Sequence, residues 1–265
     1  MTATVLPQRR VQIGHRPILV LIAALLVIGL FVTGIFEIAR WEPFLNLNIV
    51  LFLAEGLLGT LKIAVGALVA SVIVGLPLGI ARSGLRGPIA WVVGAYVELA
   101  RATPILFVLI FLDSFQNRVG LGLGWLVVSI IALTVYNSAV LAEIVRSGIA
   151  SIPTGEVEAA RSLGLNYVAT TRHVILPQAL SRMAPAIVGQ LITLIKDTSL
   201  AYVIGAQEIV RFSRNVYVQN ANILETYFVV ALVFFVICFT LSRISRRLEA
   251  GRPTDVQRLP AGQEA

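Results

Sequence analysis

Ionisable side chains interrupt several long apolar stretches of this sequence, and their chemistry needs an explanation. Lys62 lies within one stretch, Arg101 within a second, and Lys196 and Asp197 within a third. Placing a charge at the centre of a membrane costs about 2.5 to 3.5 kcal/mol on insertion scales, so such residues usually face a bundle interior or a wet cavity. Each is therefore a candidate contact for a polar solute or a member of an internal ion pair.

Arg101 begins the sequence RATP and lies deep in its stretch. It is about 20 Å along a helix from the start of that stretch, too far for its guanidinium to reach the surface easily. Pro104 frees a backbone carbonyl one turn earlier and Thr103 adds a hydroxyl, a combination that suits irregular backbone lining a cavity. The alternative is a structural ion pair of Arg101 with Glu98 or Asp197.

The sequence KDTS occupies positions 196–199, again near the middle of an apolar stretch. Four consecutive polar residues cover every side of an α-helix, so they cannot all face one groove unless the helix is interrupted or packed on all sides. An interrupted helix near the membrane midplane is a usual transporter site. In such a site Asp197 could receive a substrate ammonium group while Arg101 or a helix amino terminus meets the substrate carboxylate.

Two other ionisable residues have structural interpretations. Lys62 is only about 9 Å of helix beyond Gly56, so its ammonium group is expected to extend to the outer surface. Glu143 lies near the end of its stretch, where it either belongs to a solute path or pairs with Arg146 one turn later. No histidine pair, HExxH sequence or other plausible metal-binding or catalytic cluster is present, so neither a metal site nor a catalytic residue is predicted.

Membrane-spanning helices must position these side chains. The 265 residues are 57% hydrophobic and 13% charged, with a mean hydropathy of +0.88, which is outside the range of soluble domains. A bilayer core requires about 20 apolar residues for each helical span. We therefore predict an all-α fold, a polytopic membrane helix bundle of about six transmembrane helices. The apolar runs fall at about 17–36, 56–81, 88–112, 124–146, 183–204 and 224–242.

The net charge of +7 is distributed unevenly along these runs. Six spans place both termini on one side, and with the termini inside, most of the 21 lysine and arginine residues fall in cytoplasmic segments. The positive-inside rule therefore predicts cytoplasmic termini. The basic charge then faces cytoplasm and anionic lipid, which argues against nucleic acid as a partner. The single cysteine, Cys238, excludes a disulfide framework within the chain.

One substantial cytoplasmic insert remains, at 147–182. Thr154 is expected to cap a first short helix, Gly164 to end it in the left-handed conformation, and Asn166 to cap a second helix. Pro177 is expected to prevent the second helix from continuing unbroken into the next span. A helix, a glycine elbow and a second helix make a compact knob that suggests a partner, although a structured connecting loop accounts for these signals equally well.

The insert also carries a motif with a defined spacing. The triplet EAA is followed after three residues by Gly164 and, nine residues later, by the sequence VILP. This pattern resembles the EAA signature of ABC importer permeases, with valine where isoleucine is usual. In that family the segment is the coupling helix, which docks into a cleft of the ATP-hydrolysing subunit. The resemblance therefore implies these ATPase-coupling residues: Glu158, Ala159, Ala160, Gly164, Leu176 and Pro177.

The resemblance covers about residues 56–243. The segments RATP, YNSAVLAEIVRSGI, LPQAL and KDTSLAYVIGAQEI look like the polar amino-acid branch of type I ABC permeases, in matching order. It implies that Thr103, Asp197 and Ser199 line an amino-acid pathway. Ala102 replaces the usual glycine of the RGTP motif and is a candidate specificity position. The candidate path residues are Arg101, Ala102, Thr103, Pro104, Glu143, Asp197, Thr198 and Ser199.

Three regions are expected. They are an N-terminal tail, extra first span and external connector at 1–55, a permease core with its coupling loop at 56–243, and a basic cytoplasmic tail at 244–265. No GxxxxGK[ST] sequence is present, so ATP and magnesium are expected on a separate ATPase and no cofactor on this chain. The resemblance implies two ATPase subunits, a second permease subunit that is identical or homologous, and an extracellular substrate-binding protein.

These features predict the transmembrane subunit of an ATP-driven importer for a polar amino acid in a bacterial cytoplasmic membrane, without an enzymatic site of its own. YNSAVLAEIVRSGI most resembles the acidic amino-acid permeases of actinobacteria, which favours glutamate or aspartate over glutamine or arginine. A secondary transporter remains the first alternative, but it usually has an internally related second half, and no repeat is visible across the six runs. A membrane-embedded enzyme is the second alternative, and it lacks a plausible catalytic cluster.

Overall fold

A computed structural model describes residues 20–22, 24–25, 28–29 and 37–250, with side chains up to residue 247. Every regular element within these ranges is helical, which confirms the all-α prediction. Most of the predicted first span at 17–36, and the predicted basic tail beyond residue 250, lie outside the described residues.

Helix α1, Leu47–Gly84, is 38 residues long, or about 57 Å at the usual helical rise. Asn46 caps it by accepting a hydrogen bond from the Asn48 amide at 2.9 Å. The helix begins well before the predicted run at 56–81 because the preceding residues are also largely apolar and carry this cap. The helix continues through Pro77, a residue type that can kink a helix. A helix of this length exceeds the bilayer core, so α1 must tilt or extend beyond it.

Helices α2, Pro88–Ala102, and α3, Ile105–Val119, meet at an angle of 102°. The predicted run at 88–112 is therefore not one continuous helix, and the irregular backbone predicted at Thr103 and Pro104 is present. Pro104 has no amide hydrogen and disfavours the helical conformation of the residue before it, so Thr103 adopts an extended backbone with φ −87° and ψ 125°. The Thr103 hydroxyl donates to the carbonyl of Leu99 at 2.8 Å and completes the end of α2.

Helix α4, Trp125–Ala150, packs along α1 through small residues. A β-carbon on Gly75 would lie 2.7 Å from the carbonyl oxygen of Ser138, and one on Gly79 would lie 2.6 Å from that of Ala142. Glycine at both positions therefore lets the two backbones approach closely, as is common between membrane helices. This contact forms the central packing on which the other helices are arranged.

Two short helices, α5 at Thr154–Ser162 and α6 at Tyr167–Thr170, form the insert after α4. Gly164 has φ +82° and ends α5 as predicted. The Gly164 amide donates to the Arg161 carbonyl at 2.9 Å and the Leu165 amide to the Ala160 carbonyl at 3.2 Å, which is the Schellman hydrogen-bond pattern.

Asn166 caps α6, as predicted, by accepting a hydrogen bond from the Ala169 amide at 2.9 Å. Thr154, in contrast, is not a cap. It is the first helical residue of α5, and Pro153 occupies the cap position without a side-chain hydrogen bond. The prediction misplaced the cap by one residue, because it took the first side chain with cap chemistry as the boundary.

The prediction that Pro177 breaks the chain before the next span is also wrong. A π-helical turn at Thr171–Ile175 connects α6 to α7, Leu176–Asp197, and the helical segment runs without a break from Tyr167 to Ile204. Pro177 lies in the first turn of α7, where its missing amide hydrogen costs little because the hydrogen-bond register has just changed at the π turn.

The segment after α7 is irregular at the point where the polar sequence KDTS predicts an interruption. The α-helix ends at Asp197 and a 3₁₀ helix, Thr198–Ile204, follows. A short helix α8, Ile209–Asn220, follows and is capped by Glu208. The Glu208 carboxylate accepts hydrogen bonds from two backbone amides in the first turn of α8. Helix α9, Ile223–Ala250, completes the bundle.

Four helical segments of the described residues are long and apolar enough to cross a membrane, and the bent pair α2–α3 makes a fifth if it counts as one span. These segments coincide with five of the six predicted apolar runs. Most of the sixth, the predicted first span, lies outside the described residues. The four segments are Leu47–Gly84, Trp125–Ala150, Tyr167–Ile204 and Ile223–Arg247.

Candidate functional site

The sequence RATP lies at the break between α2 and α3, and all four of its residues are exposed in this protomer. Within the described residues, no carboxylate is within ion-pair distance of Arg101, so the predicted pairs with Glu98 and Asp197 are not formed. Glu98 instead contacts Arg82 at 3.3 Å. The structure therefore presents the Arg101 guanidinium at an irregular backbone segment, without an anionic partner from the described part of the chain.

The polar residues at 196–199 differ in exposure, as expected of four consecutive residues on a helix. Lys196 is exposed and Asp197 is half-buried, whereas Thr198 is fully buried. The hydroxyl of Thr198 donates to the Ile195 carbonyl at 2.7 Å, and that of Ser199 donates to the Lys196 carbonyl at the same distance. Asp197 and Ser199 thus remain partly accessible, and Thr198 belongs to the packed interior of this protomer.

A polar face on α7 was missed by the sequence reasoning. Gln190, Thr193 and Asp197 are spaced i, i+3 and i+7, so they share one face of the helix. The Gln190 amide donates to the side chain of buried Asn137 at 2.6 Å, and Asn137 donates to the Leu133 carbonyl at 2.8 Å. The helical spacing of polar residues within an apolar run was the signal that could have found this face.

Glu143 is the centre of an ion-pair cluster that joins three helices. Its Oε1 accepts from Arg146 Nη2 at 2.5 Å and from Arg146 Nε at 3.0 Å, which confirms the predicted pair one turn apart. Its Oε2 accepts from Arg82 Nη1 at 2.9 Å, and Arg82 also reaches Glu98 on α2. Both carboxylate oxygens of Glu143 are therefore engaged: Oε1 binds Arg146 within α4, and Oε2 binds Arg82 and holds α4 to the last turn of α1.

The predicted coupling residues form part of an exposed knob. Glu158, Ala159 and Gly164 are exposed, and Pro177 is exposed at the start of α7. Ala160 is buried against the body of the knob, and Leu176 is half-buried. Glu158, Ala159 and Gly164 are thus available to a partner, while Ala160 and Leu176 contribute to the packing of the knob itself.

Two large apolar side chains flank the glycine elbow and were not predicted. Leu163 is 83% exposed and Val168 is 70% exposed, and a β-carbon on Gly164 would meet no atom within 4 Å. We refer to Leu163, Gly164 and Val168 as the elbow patch. Exposed apolar groups around an open backbone position are typical of a surface that a partner covers. The signal in the sequence was the apolar residue on each side of the elbow.

The knob is attached to the helices on both sides of it. Glu156 on α5 accepts a hydrogen bond from Gln178 on α7. Arg182 donates to the Ser151 carbonyl at 2.5 Å and ties α7 to the end of α4. The knob is thus bonded to α7 through Glu156, and α7 is in turn bonded to the end of α4 through Arg182, in addition to the chain connections.

A bundle of helices long and apolar enough to cross a membrane, with a polar break in one of them, indicates an integral membrane protein. The chain belongs to the family described as "Binding-protein-dependent transport system inner membrane component", whose model matches residues 71–252. It is 38% identical over 227 residues to the glutamate transport system permease protein GluD of Corynebacterium glutamicum, covering 83% of both chains. It is 38% identical over 201 residues to the probable glutamine ABC transporter permease protein GlnP of Bacillus subtilis, covering 75% of this chain and 92% of that one.

A solved structure agrees with these relatives. The protein titled "Crystal structure of an amino acid ABC transporter with histidines" superposes with a TM-score of 0.70 and 30% sequence identity, covering 75% of this chain and 93% of that chain. The prediction of an amino-acid ABC importer permease is therefore confirmed, and the protein is a transport component of the membrane.

Proposed function

We propose that this permease imports an acidic amino acid, glutamate or aspartate, and that its knob couples import to ATP hydrolysis on separate subunits. The observation that carries the coupling role is the exposed elbow patch on a knob fastened to two helices of the bundle. An ATPase cleft that covers Leu163 and Val168 would remove apolar surface from water, which favours docking by about 25 cal/mol for each Å² buried. Movement of the docked knob would then reach α4 and α7.

The proposed substrate path uses the two irregular segments of the bundle. Arg101, Ala102, Thr103 and Pro104 contribute from the break after α2, and Asp197 and Ser199 contribute from the end of α7. Gln190 and Thr193 extend the same path along α7, since they share a face with Asp197. Thr198 and Glu143 were also predicted as path residues. Thr198 is buried and Glu143 is paired with arginines, so positioning roles are favoured for both instead.

Arg101 and Asp197 offer the opposite charges that the carboxylate and ammonium of an amino acid require. A glutamate or aspartate carries two carboxylates and one ammonium group. The guanidinium of Arg101 can bind one carboxylate with two parallel hydrogen bonds, and Asp197 can bind the ammonium. Relatives named for glutamate and for glutamine are equally identical to this chain, but the match to the glutamate permease spans 227 residues against 201, which supports the acid over the amide.

The proposed assembly contains two permease subunits, identical or homologous, and two ATPase subunits. One knob on each permease serves one ATPase cleft, and the path requires helices of a bundle to meet around it. Both termini and the knob lie in the cytoplasm of a bacterium according to the positive-inside rule. An extracellular substrate-binding protein delivers the amino acid to the opposite face.

Reconstitution with the partner ATPase and the binding protein tests this function. Labelled glutamate should enter proteoliposomes only when ATP is supplied, and uptake should survive an ionophore that collapses ion gradients. Glutamine and arginine serve as competing labelled substrates in the same vesicles. Uptake that follows an ion gradient without ATP would instead identify a secondary transporter, and uptake of glutamine or arginine alone would contradict the acidic substrate.

A further inference from the structure

The second helix of the knob contacts the end of α1 through the side chain of Tyr167. The hydroxyl of Tyr167, the first residue of α6, lies against the backbone of Gly84, the last residue of α1. A methyl group on Gly84 would overlap this hydroxyl and approach Tyr167 Cζ to 2.8 Å. Glycine is therefore what permits the contact. The rest of Tyr167 faces solvent, since the residue is 53% exposed.

The contact is notable because α1 does not flank the knob in the sequence. The hydrogen bonds of Glu156 and Arg182 tie together the knob and the helices next to it in the chain, α4 and α7. Tyr167 instead reaches a helix that ends more than 80 residues earlier in the numbering, at Gly84. It therefore gives the knob a route to a different part of the bundle.

The last turn of α1 also carries the cation that joins α2 and α4. Arg82, two positions before Gly84, donates to Glu143 on α4 at 2.9 Å and to Glu98 on α2 at 3.3 Å. Glu98 lies one helical turn before Arg101, close to the end of α2. A shift of this turn would change the Arg82 geometry toward both carboxylates, and hydrogen-bonded ion pairs weaken steeply when their geometry is lost.

We propose that Tyr167 is a positioning residue that transmits movement of the knob to the last turn of α1, and through Arg82 to the broken helix pair of the substrate path. This inference rests on the proposed coupling role of the knob. Packed interfaces tend to switch between discrete arrangements, so a small displacement at Gly84 can select between two geometries of the Arg82 ion pairs. The elbow patch docks the ATPase, whereas Tyr167 faces the permease itself.

Two variants remove the contact in different ways. Tyr167→Ala deletes the side chain, and Gly84→Ala displaces the hydroxyl with a methyl group. Because Tyr167 is half-exposed, its ring can swing into water in Gly84→Ala without disturbing the core. Tyr167→Phe keeps the ring against α1 and serves as the conservative variant. Gly94→Ala on α2 is the matched glycine control, since a β-carbon there meets no atom within 4 Å.

The measurements are made on the complete reconstituted importer. We expect Tyr167→Ala and Gly84→Ala to lower the stimulation of ATP hydrolysis by the loaded binding protein about fivefold or more, the lower end of usual coupling between sites. The number of glutamate molecules imported per ATP should fall with it. Co-purification with the ATPase, basal ATP hydrolysis and thermal stability should stay at the parent level. Tyr167→Phe should retain most of the stimulation, and Gly94→Ala all of it.

Unchanged stimulation and stoichiometry in both contact variants would overturn the inference. Reduced binding of the ATPase in Tyr167→Ala would also overturn it, because Tyr167 would then be a docking residue. If Gly84→Ala lowers the amount of assembled complex, Tyr167→Ala decides the question alone, since it only shortens a half-exposed side chain. A parent complex without ATP-dependent uptake would contradict the proposed function instead, and it is therefore measured first.

Discussion

Arg101 is the side chain expected to contact a substrate carboxylate in the proposed path. Its guanidinium is exposed at the break after α2, and the nearest acidic residue along that helix, Glu98, is paired with Arg82. A cation with no ion pair among the described residues, beside irregular backbone, can bind an anionic ligand without first breaking such a pair. Asp197, at the end of α7, is the proposed contact for the amino group.

Replacement of Arg101 should affect acidic substrates most. Arg101→Ala is expected to lower the apparent affinity for glutamate about tenfold or more, because hydrogen bonds to a charged group contribute about 1.5 to 3 kcal/mol. Arg101→Lys should recover only part of this, since lysine cannot form the bidentate pair. Concentration-dependent uptake of labelled glutamate, normalised to the permease in the membrane, measures both effects.

The control for that experiment is Lys62→Ala, which removes an exposed cation from α1 and should leave glutamate affinity unchanged. Equal glutamate uptake by Arg101→Ala and the parent, at equal abundance, would rule out the anion contact. A loss of membrane abundance in Arg101→Ala would indicate a structural role for the arginine instead.

Single side chains were predictable where their partners are close in the sequence. The pair of Glu143 with Arg146 follows from helical spacing alone. The second partner, Arg82, lies 61 positions from Glu143 and meets it only because glycines bring α1 and α4 together. The hydrogen bond between Asn137 and Gln190 is likewise a contact between distant helices. Periodicity identifies which residues share a face, but the packing of the bundle decides which faces meet.

Features of the helices were likewise predictable where they depend on neighbouring residues in the sequence, and not where they depend on packing against distant helices. The Gly164 elbow and the Asn166 cap follow from the conformational preferences of those two residues, so the sequence was sufficient to predict both. Pro104 was correctly associated with irregular backbone, yet the 102° turn between α2 and α3 was not predicted. A proline removes a hydrogen bond, whereas the angle that follows depends on what α3 packs against.

The elbow patch gives a prediction for the docking element. Leu163→Asp should reduce co-purification of the ATPase with the permease, because it places a charge in an apolar contact that is expected to lose its water. Leu163 is 83% exposed, so the substitution should leave the permease itself folded. Pull-down of the ATPase by detergent-solubilised permease, at equal permease abundance, measures the effect.

Ile38→Asp provides a matched control for Leu163→Asp. Ile38 is 82% exposed and is the first residue of the 3₁₀ helix Ile38–Leu45, which precedes α1. It lies outside the knob. The same chemical change there should not alter the pull-down. Parent-level ATPase binding by Leu163→Asp would remove the elbow patch from the docking surface.

At the scale of the whole molecule, the knob and helix α8 lie at separate positions along the chain. The knob follows α4, and the short amphipathic helix α8 follows the polar end of α7. A span connects the two, since the continuous helical segment runs from Tyr167 to Ile204. If that segment crosses the bilayer once, the knob and α8 must lie on opposite sides. The excess of basic residues in and around the knob predicts a cytoplasmic knob by the positive-inside rule.

Cysteine labelling tests this orientation in the intact assembly. Cys238 is the single native cysteine, so Cys238→Ser gives a background without thiols. In that background Ser162→Cys on the knob should react with a membrane-impermeant maleimide only in inside-out vesicles, and Asn215→Cys on α8 only in right-side-out vesicles. Both native side chains are exposed, so access rather than burial decides the labelling. Labelling of both cysteines from the same side would contradict a single crossing by Tyr167–Ile204, and the reverse pattern would place the knob outside, where it could not meet a cytoplasmic ATPase.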